Sequence, residues 1–188
     1  MSGKITREHI VEAADKLFYQ QGYEHTSFAD IGKAVQISRG NFYYHFKTKG
    51  EILGAVIEVR LLNTRKMLER WEESAEKPAE RIRGFIAILI MNRTKIMQYG
   101  CPIGTLCNEL AKLDHGARED ANKIFTLFRD WLSRQFAQLG RKAEADALAM
   151  HLLARSQGVA TLATAFHDEA FIRQEVAQME AWLDALVK

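Results

Sequence analysis

The sequence predicts an all-α protein. Only two of its 188 residues are proline, Pro78 and Pro102, and Ala, Leu, Glu, Lys, Arg and Gln recur throughout, so little interrupts a helix. No alternating Val/Ile/Thr run bounded by turn residues marks a strand. Apolar residues instead return every three or four positions over long stretches, the period of a helix face.

The elements follow in order from their end signals. Thr6 is a candidate cap for a first helix whose apolar stripe is Ile10, Ala14, Leu17 and Phe18, with Ile5 packing on Ile10 as a hydrophobic staple. Gly22 supplies the left-handed residue that stops it. Ser27-Phe28-Ala29-Asp30 has the form of a capping box, with Asp30 in place of the usual Glu, and opens a short helix with Phe28, Ile31 and Ala34 inward. A third helix starts at Ser38. Thr48-Lys49-Gly50-Glu51 is a second capping box, opening a long helix through Ile52, Val56, Val59, Leu62 and Leu68 towards Trp71. Pro78 at a first helical position then begins a larger helical region, with helices expected near 78–98, 102–113, 115–139, 142–165 and 168–187. Gly140 reads as a stop, and Asp114 and Asp168 read as caps. That makes about nine helices.

The remaining composition removes several classes of function. Lys plus Arg number 26 and Asp plus Glu 24, a net charge of +2, and hydrophobic residues are 47%, which suits an ordinary globular chain. The longest apolar run, Phe85 to Met91, is too short to span a bilayer, and the N-terminus lacks the apolar core of a signal peptide, so a cytosolic protein with no membrane partner is expected. Cys101 and Cys107 make neither a disulfide framework nor a zinc motif. No HExxH, phosphate-binding glycine loop or nucleophile elbow is present, so neither an enzyme nor a metal site nor a cofactor is expected.

Residues 31–50 carry a different chemistry. Only Val35, Gln36 and Ile37 join the second and third helices, which suits a helix-turn-helix crossing at a steep angle. The cations Lys33, Arg39, Lys47 and Lys49 fall here with no acid before Glu51, whereas residues 11–30 carry one cation and four acids. Positive charge is thus focused on the third helix and the start of the fourth, an electrostatic footprint for phosphate. Asn41, Tyr43, Tyr44 and His45 interleave donors able to meet base edges or phosphate oxygens.

The stretch TSFADIGKAVQISRGNFYYHFKTKGEIL, Thr26 to Leu53, closely resembles the DNA-binding domain of the TetR/AcrR family of bacterial transcriptional regulators. The resemblance covers roughly Thr6 to Val56 and rests on the capped short helix, Ser-Arg-Gly-Asn, Phe-Tyr-Tyr-His-Phe and Lys-Thr-Lys-Gly-Glu in the family's order and spacing. The rest of the chain resembles the family only in helical layout and length. The resemblance implies a helix-turn-helix DNA-binding domain at residues 1–50 and a ligand-binding and dimerisation domain at 51–188, linked by a long helix at about 49–74. It implies a homodimeric repressor on a palindromic double-stranded operator, released when a small-molecule inducer separates or tilts the two reading heads. Gln36 departs from the family, which usually has Gly in the turn; it either takes a strained positive φ or avoids one.

Carried over by position, Ser38, Arg39, Gly40, Asn41 and Tyr43 front the recognition helix, with Tyr44 and His45 at its end and Lys49 opening the fourth helix. Thr26 and Ser27 stand where the second helix points its N-terminus at a phosphate. Ser38 also reads as a simple cap and His45 as a packing residue, while Phe42 and Phe46 read as core. Tyr43 and Tyr44 lie about 100° apart on a helix and cannot both face DNA; the resemblance favours Tyr43 for the groove.

The C-terminal region offers a candidate inducer pocket lined by Phe85, Leu89, Met97, Cys101, Phe125, Phe128 and Trp131, with Asn108 and Glu109 to orient a ligand. The same aromatics equally suit a plain core. The run Phe85 to Met91 leaves its helix no solvent-facing side. Pro102 places Cys101 at an N-cap, where dipole and backbone donors favour a thiolate, and the Gly-Cys pair also resembles a family branch that senses electrophiles or oxidants; a buried inert thiol is the other reading. Cys107 lies about 240° round the same helix, which excludes an intrahelical disulfide. The last two helices carry seams that include Leu152, Arg155, Gly158 and Val159, and Ile172, Val176, Met179 and Leu183. Their spacing suits either a dimer interface, as the resemblance implies, or packing within one chain. The rivals to an inducible regulator are an architectural DNA-binding protein without ligand control and a small-molecule enzyme.

Overall fold

The computed structural model describes residues 3–187, with side chains from Thr6 onward. Ten helices account for nearly all of them: α1 Gly3–Gln21, α2 Phe28–Val35, α3 Arg39–His45, α4 Lys49–Ser74, α5 Pro78–Met91, α6 Arg93–Tyr99, α7 Pro102–Lys112, α8 Arg118–Gln138, α9 Ala145–Phe166 and α10 Glu169–Val187. No strand occurs among the described residues, and none of their helices is long and apolar enough to cross a membrane. The fold is all-α, as the sequence predicts. The helix expected at 78–98 is two helices meeting at Asn92 (φ −106°, ψ 11°). The Asn92 amide and its side-chain Nδ2 both donate to the Ile88 carbonyl, at 3.0 and 3.1 Å. A side chain competing for a helix carbonyl is a local reason for the break.

The chain packs as two compact units, residues 1–63 with 105–123, and 64–104 with 124–188. In the first unit Ile10, Ala14 and Phe18 of α1, Ile31 of α2, Phe42 of α3 and Ile52, Leu53 and Val56 of α4 form a buried core, joined by Leu106, Cys107 and Leu110 of α7. Arg60 and Asp15 tie α4 to α1 at 2.6 Å. In the second unit α10 packs on α5 and α9, and α9 on α6. Its core holds Ile82, Phe85, Ile86 and Leu89 with Ile124, Phe128, Trp131, Leu132 and Phe136.

Several local expectations need correction. α1 begins by Gly3, so Thr6 lies inside the helix and is nearly buried; the Ile5 staple falls outside the described side chains. Ala34, Val59 and Leu62 face solvent, and Met91 is 62% exposed, so the apolar run from Phe85 is not enclosed all round. Asp114 does not cap α8. It takes φ +48° in the preceding turn, and His115 Nδ1 accepts from the Ala117 amide at 3.0 Å instead. Asp168 does cap α10, accepting from Phe171 N at 3.1 Å, and Gly22 and Gly140 take the positive φ expected of stops.

Candidate nucleic-acid interface

The interface is built by caps on very short helices. Ser27 Oγ accepts from Asp30 N at 3.1 Å, and the Asp30 carboxylate accepts from Ser27 N at 2.9 Å and Ser27 Oγ at 2.6 Å, a complete capping box. The Ser27 hydroxyl and then its amide hold the Asp30 carboxyl below the usual carboxylate range. α2 ends at Gln36, which adopts the left-handed conformation (φ 56°, ψ 39°) and donates its amide to Lys33 O at 3.3 Å. Of the two conformations open to Gln36, the turn thus takes the left-handed one with a residue that bears a Cβ. The cap of α3 follows two residues later, with Ser38 Oγ accepting from Asn41 N at 3.3 Å.

That turn gives α3 one inward and one outward face. Phe42 and Phe46 are buried, Phe42 edge-on to Phe28 with centroids 4.6 Å apart. Arg39, Gly40, Asn41, Tyr43 and Tyr44 are exposed, as is the cap Ser38, and His45 is half-buried. Tyr44 is the most open at 76% and stacks edge-on with His45; Tyr43 is 38% exposed, resting against Phe28. The Arg39 guanidinium lies 5.5 Å from the Tyr43 ring centroid, one turn along. A groove of about 640 Å³ runs between α2 and α3, lined by Ser27, Lys33, Arg39 and Tyr43 among others.

In the free chain Thr26 and Lys49 are both engaged with the α1–α2 connection. Thr26 is fully buried; its hydroxyl donates to Gly22 O at 2.6 Å and accepts from Gln21 Nε2 at 3.2 Å, which locks the α1–α2 connection. The Lys49 ammonium donates to the carbonyls of Tyr23 (2.9 Å) and Glu24 (3.4 Å) and lies 4.2 Å from the Tyr23 ring centroid. The second capping box is split. Thr48 Oγ1 accepts from Glu51 N at 3.1 Å, but the Glu51 carboxylate takes the Lys47 amide at 2.8 Å instead of that of Thr48.

The candidate pocket residues do not all converge. Asn108 is exposed in the first unit. Glu109, also there, is already committed, accepting from Tyr23 N at 2.9 Å and Glu24 N at 2.8 Å. In the second unit Phe85, Leu89, Phe128 and Trp131 are core, with Phe85 edge-on to Phe128 and Trp131 beside Trp71. Phe125 alone of the named residues lines the groove of about 310 Å³ between α8 and α9, with Met150, Leu153 and Gln157 among its other walls. Met97 and Cys101 are half-buried. Cys101 sits at the start of α7, its Sγ accepting from Gly104 N at 3.5 Å, and Cys107 is buried. The Trp131 indole N–H is buried without an acceptor among the described residues.

The expected dimer seam closes within the chain. Leu152, Val159, Ile172, Val176, Met179 and Leu183 are buried within the chain, where α10 packs on α5 as well as α9 and α9 packs also on α6, and Arg155 pairs with Glu175 at 2.9 Å; of the eight, only Gly158 is exposed. Sequence reasoning also missed Tyr23 and His115, whose hydroxyl and Nε2 lie 3.2 Å apart. Their partners are too distant in sequence to leave a local signal. The Arg39–Tyr43 stack, four apart on a helix, was legible in principle.

A capped, basic, outward-facing helix of seven residues behind a three-residue turn defines a helix-turn-helix DNA-binding protein. Residues 10–56 match the model of bacterial regulatory proteins of the tetR family, and residues 78–178 match the LmrA/YxaF-like transcriptional regulator C-terminal domain. The regulator LmrA of Bacillus subtilis is 31% identical over 137 residues, covering 71% of this chain and 70% of its own. The repressor DhaR of a Mycobacterium strain is 25% identical over 168 residues, covering 84% and 82%. A TetR regulator from Legionella pneumophila superposes with a TM-score of 0.82 at 25% identity, covering 96% of each chain. The chain belongs to the tetR family of bacterial transcriptional regulators.

Proposed function

We propose that this regulator is a repressor that binds a palindromic operator as a homodimer in the bacterial cytoplasm and leaves it when a small apolar or electrophilic inducer binds. The observation that carries the DNA reading is the outward face of α3, where Arg39, Asn41 and Tyr43 stand exposed beside a groove lined by Lys33 while Phe42 anchors the opposite side. Phosphates are met by Ser27 at the α2 N-terminus, Ser38, Tyr44 and His45, and base edges by Arg39, Asn41 and Tyr43. A Cβ at Gly40 would meet nothing within 4 Å in the free protein, so packing within the chain does not require glycine there, and its small size serves the close approach of the DNA.

For pairing, the line Ala147, His151, Ala154, Gly158, Leu162 and Ala165 on α9 remains exposed at spacings of four and three, and Ala177 and Ala181 continue an open face on α10. A second copy is its occupant. For the inducer, the second unit offers the buried, unpaired Trp131 N–H among aromatics, a donor suited to an apolar molecule with one acceptor. Cys101, half-buried at its N-cap, supports the electrophile as the alternative trigger.

The test is selection of binding sites from random duplexes, with sedimentation of the free protein. A palindrome bound by a dimer, with half-sites spaced by a DNA turn of about 34–36 Å or multiples of it, is the expected result. A monomer that binds a lone half-site as tightly as the palindrome would overturn it. Cys101 should alkylate faster than Cys107, and Cys101→Ser should resist release from the selected duplex by N-ethylmaleimide. Equal labelling rates would remove the thiol reading and leave the reversible ligand.

A further inference from the structure

Two consecutive peptide units in the α1–α2 connection are held from both sides by charged side chains. The N–H groups of Tyr23 and Glu24 donate to the two oxygens of Glu109, at 2.9 and 2.8 Å, one amide to each oxygen. The carbonyls of the same two residues accept from the ammonium of Lys49, at 2.9 and 3.4 Å. Glu109 lies on α7, 86 residues from Tyr23, and Lys49 is the first residue of α4. The fit is close. A Cβ at Gly22, which itself takes φ +91°, would stand 3.0 Å from Glu109 Oε1.

The Tyr23 ring completes the arrangement, with the Lys49 ammonium 4.2 Å from its centroid, Phe18 edge-on at 5.2 Å and its hydroxyl 3.2 Å from His115 Nε2. This connection leads directly into buried Thr26 and then into Ser27, the cap of α2. Charge-assisted hydrogen bonds to backbone are stronger than neutral ones, so the pair fixes where the first turn of α2 begins. Neither side chain need touch DNA for that. The neighbouring α7 residues Leu106, Cys107 and Leu110 are buried in the same unit, so Glu109 is carried on a fixed helix.

We propose that Glu109 is a positioning residue for operator binding: with Lys49 it clamps the Tyr23 and Glu24 peptides and thereby presents the N-terminus of α2 to the phosphate backbone. The inference deepens the DNA-binding reading and rests on it. Lys49 then acts on the operator through the connection rather than by meeting a phosphate.

The experiment uses the full chain and the palindromic duplex obtained by selection, with Glu109→Gln, Lys49→Met, the double variant and the exposed neighbour Asn108→Ala as control. Gln keeps the volume of Glu but only one acceptor oxygen. Glu109→Gln is expected to bind about tenfold more weakly, with the helical circular dichroism of wild type and faster amide exchange at Tyr23 and Glu24, while Asn108→Ala binds as wild type. Because both side chains act on the same peptides, the double variant is expected to lose little beyond the weaker-binding single variant. Wild-type affinity in Glu109→Gln would overturn the proposal, as would fully additive losses or an unfolded Glu109→Gln protein, which would make it a folding residue. Failure of wild type to select any sequence would instead overturn the DNA-binding reading itself.

Discussion

The α2–α3 segment and the α9–α10 pair solve the problem of forming helices in opposite ways. α2 and α3 have eight and seven residues, too few to be stable alone, and each buries few side chains: Ile31 in one and Phe42 in the other. Their ends are therefore specified by hydrogen bonds, through Ser27 with Asp30 and through Ser38. α9 and α10 run 22 and 19 residues and lack that dependence, because Leu152, Val159, Ile172, Val176, Met179 and Leu183 bury a continuous apolar seam. The capped segment leaves most of its side chains exposed, whereas the long pair buries a continuous stripe inside the second unit. Surface function and core stability are thus assigned to different helices.

The largest effect expected from breaking this contrast is in the packed pair. Leu152→Ala removes a fully buried side chain and should lower stability by about 2–5 kcal/mol, read as a fall in thermal midpoint, with the recognition surface unaltered in the protein that remains folded. In the capped segment, Asn41→Ala should do the reverse, leaving the midpoint unchanged within error. If Asn41 meets a base edge, the variant should lose about 1–3 kcal/mol of discrimination at one operator position, measured by competition among base-substituted duplexes. Arg39→Ala should also weaken binding; a salt slope reduced by about one would mark Arg39 as a phosphate contact, and an unchanged slope with altered preference would mark it as a base reader.

Smaller effects test the caps themselves. Ser27→Ala should cost about 1 kcal/mol of stability in denaturant titration. Because the folded Asp30 carboxyl is held below its ordinary value by Ser27, its contribution is present above the unfolded carboxylate range and is lost as pH falls through the depressed folded value. Ser27→Ala should therefore flatten the acid limb of the stability profile; an unchanged limb would show that the box is not formed in solution. Smallest of all, Gln36→Gly should stabilise by about 0.5–1 kcal/mol, since relief of a left-handed Cβ exceeds the added freedom of the unfolded glycine.

Whatever depends on neighbours within one or two helical turns was legible along the chain: the all-α class, the Ser27–Asp30 box, the stop at Gly22, Pro78 and Pro102 at helix starts, the bounds of the long α4, and an exposed basic α3 with Phe42 behind it. These signals are local because caps, turns and amphipathic periods involve residues three or four apart. Gln36 shows the limit even there, since its sequence left two backbone conformations open and the packed turn selected the left-handed one. Tertiary structure alone decided which face of each long helix is buried. A period of three and four looks the same for a seam within a chain and a seam between chains, so Leu152 and Met179 suited either by spacing, and the structure buries both within the chain. It decided too that Glu109 accepts from the α1–α2 connection, because a carboxylate finding two backbone amides 86 and 85 positions away leaves no periodic trace. Long-range hydrogen bonds are chosen by how helices come together in space, and that arrangement is not written in any one stretch of the chain.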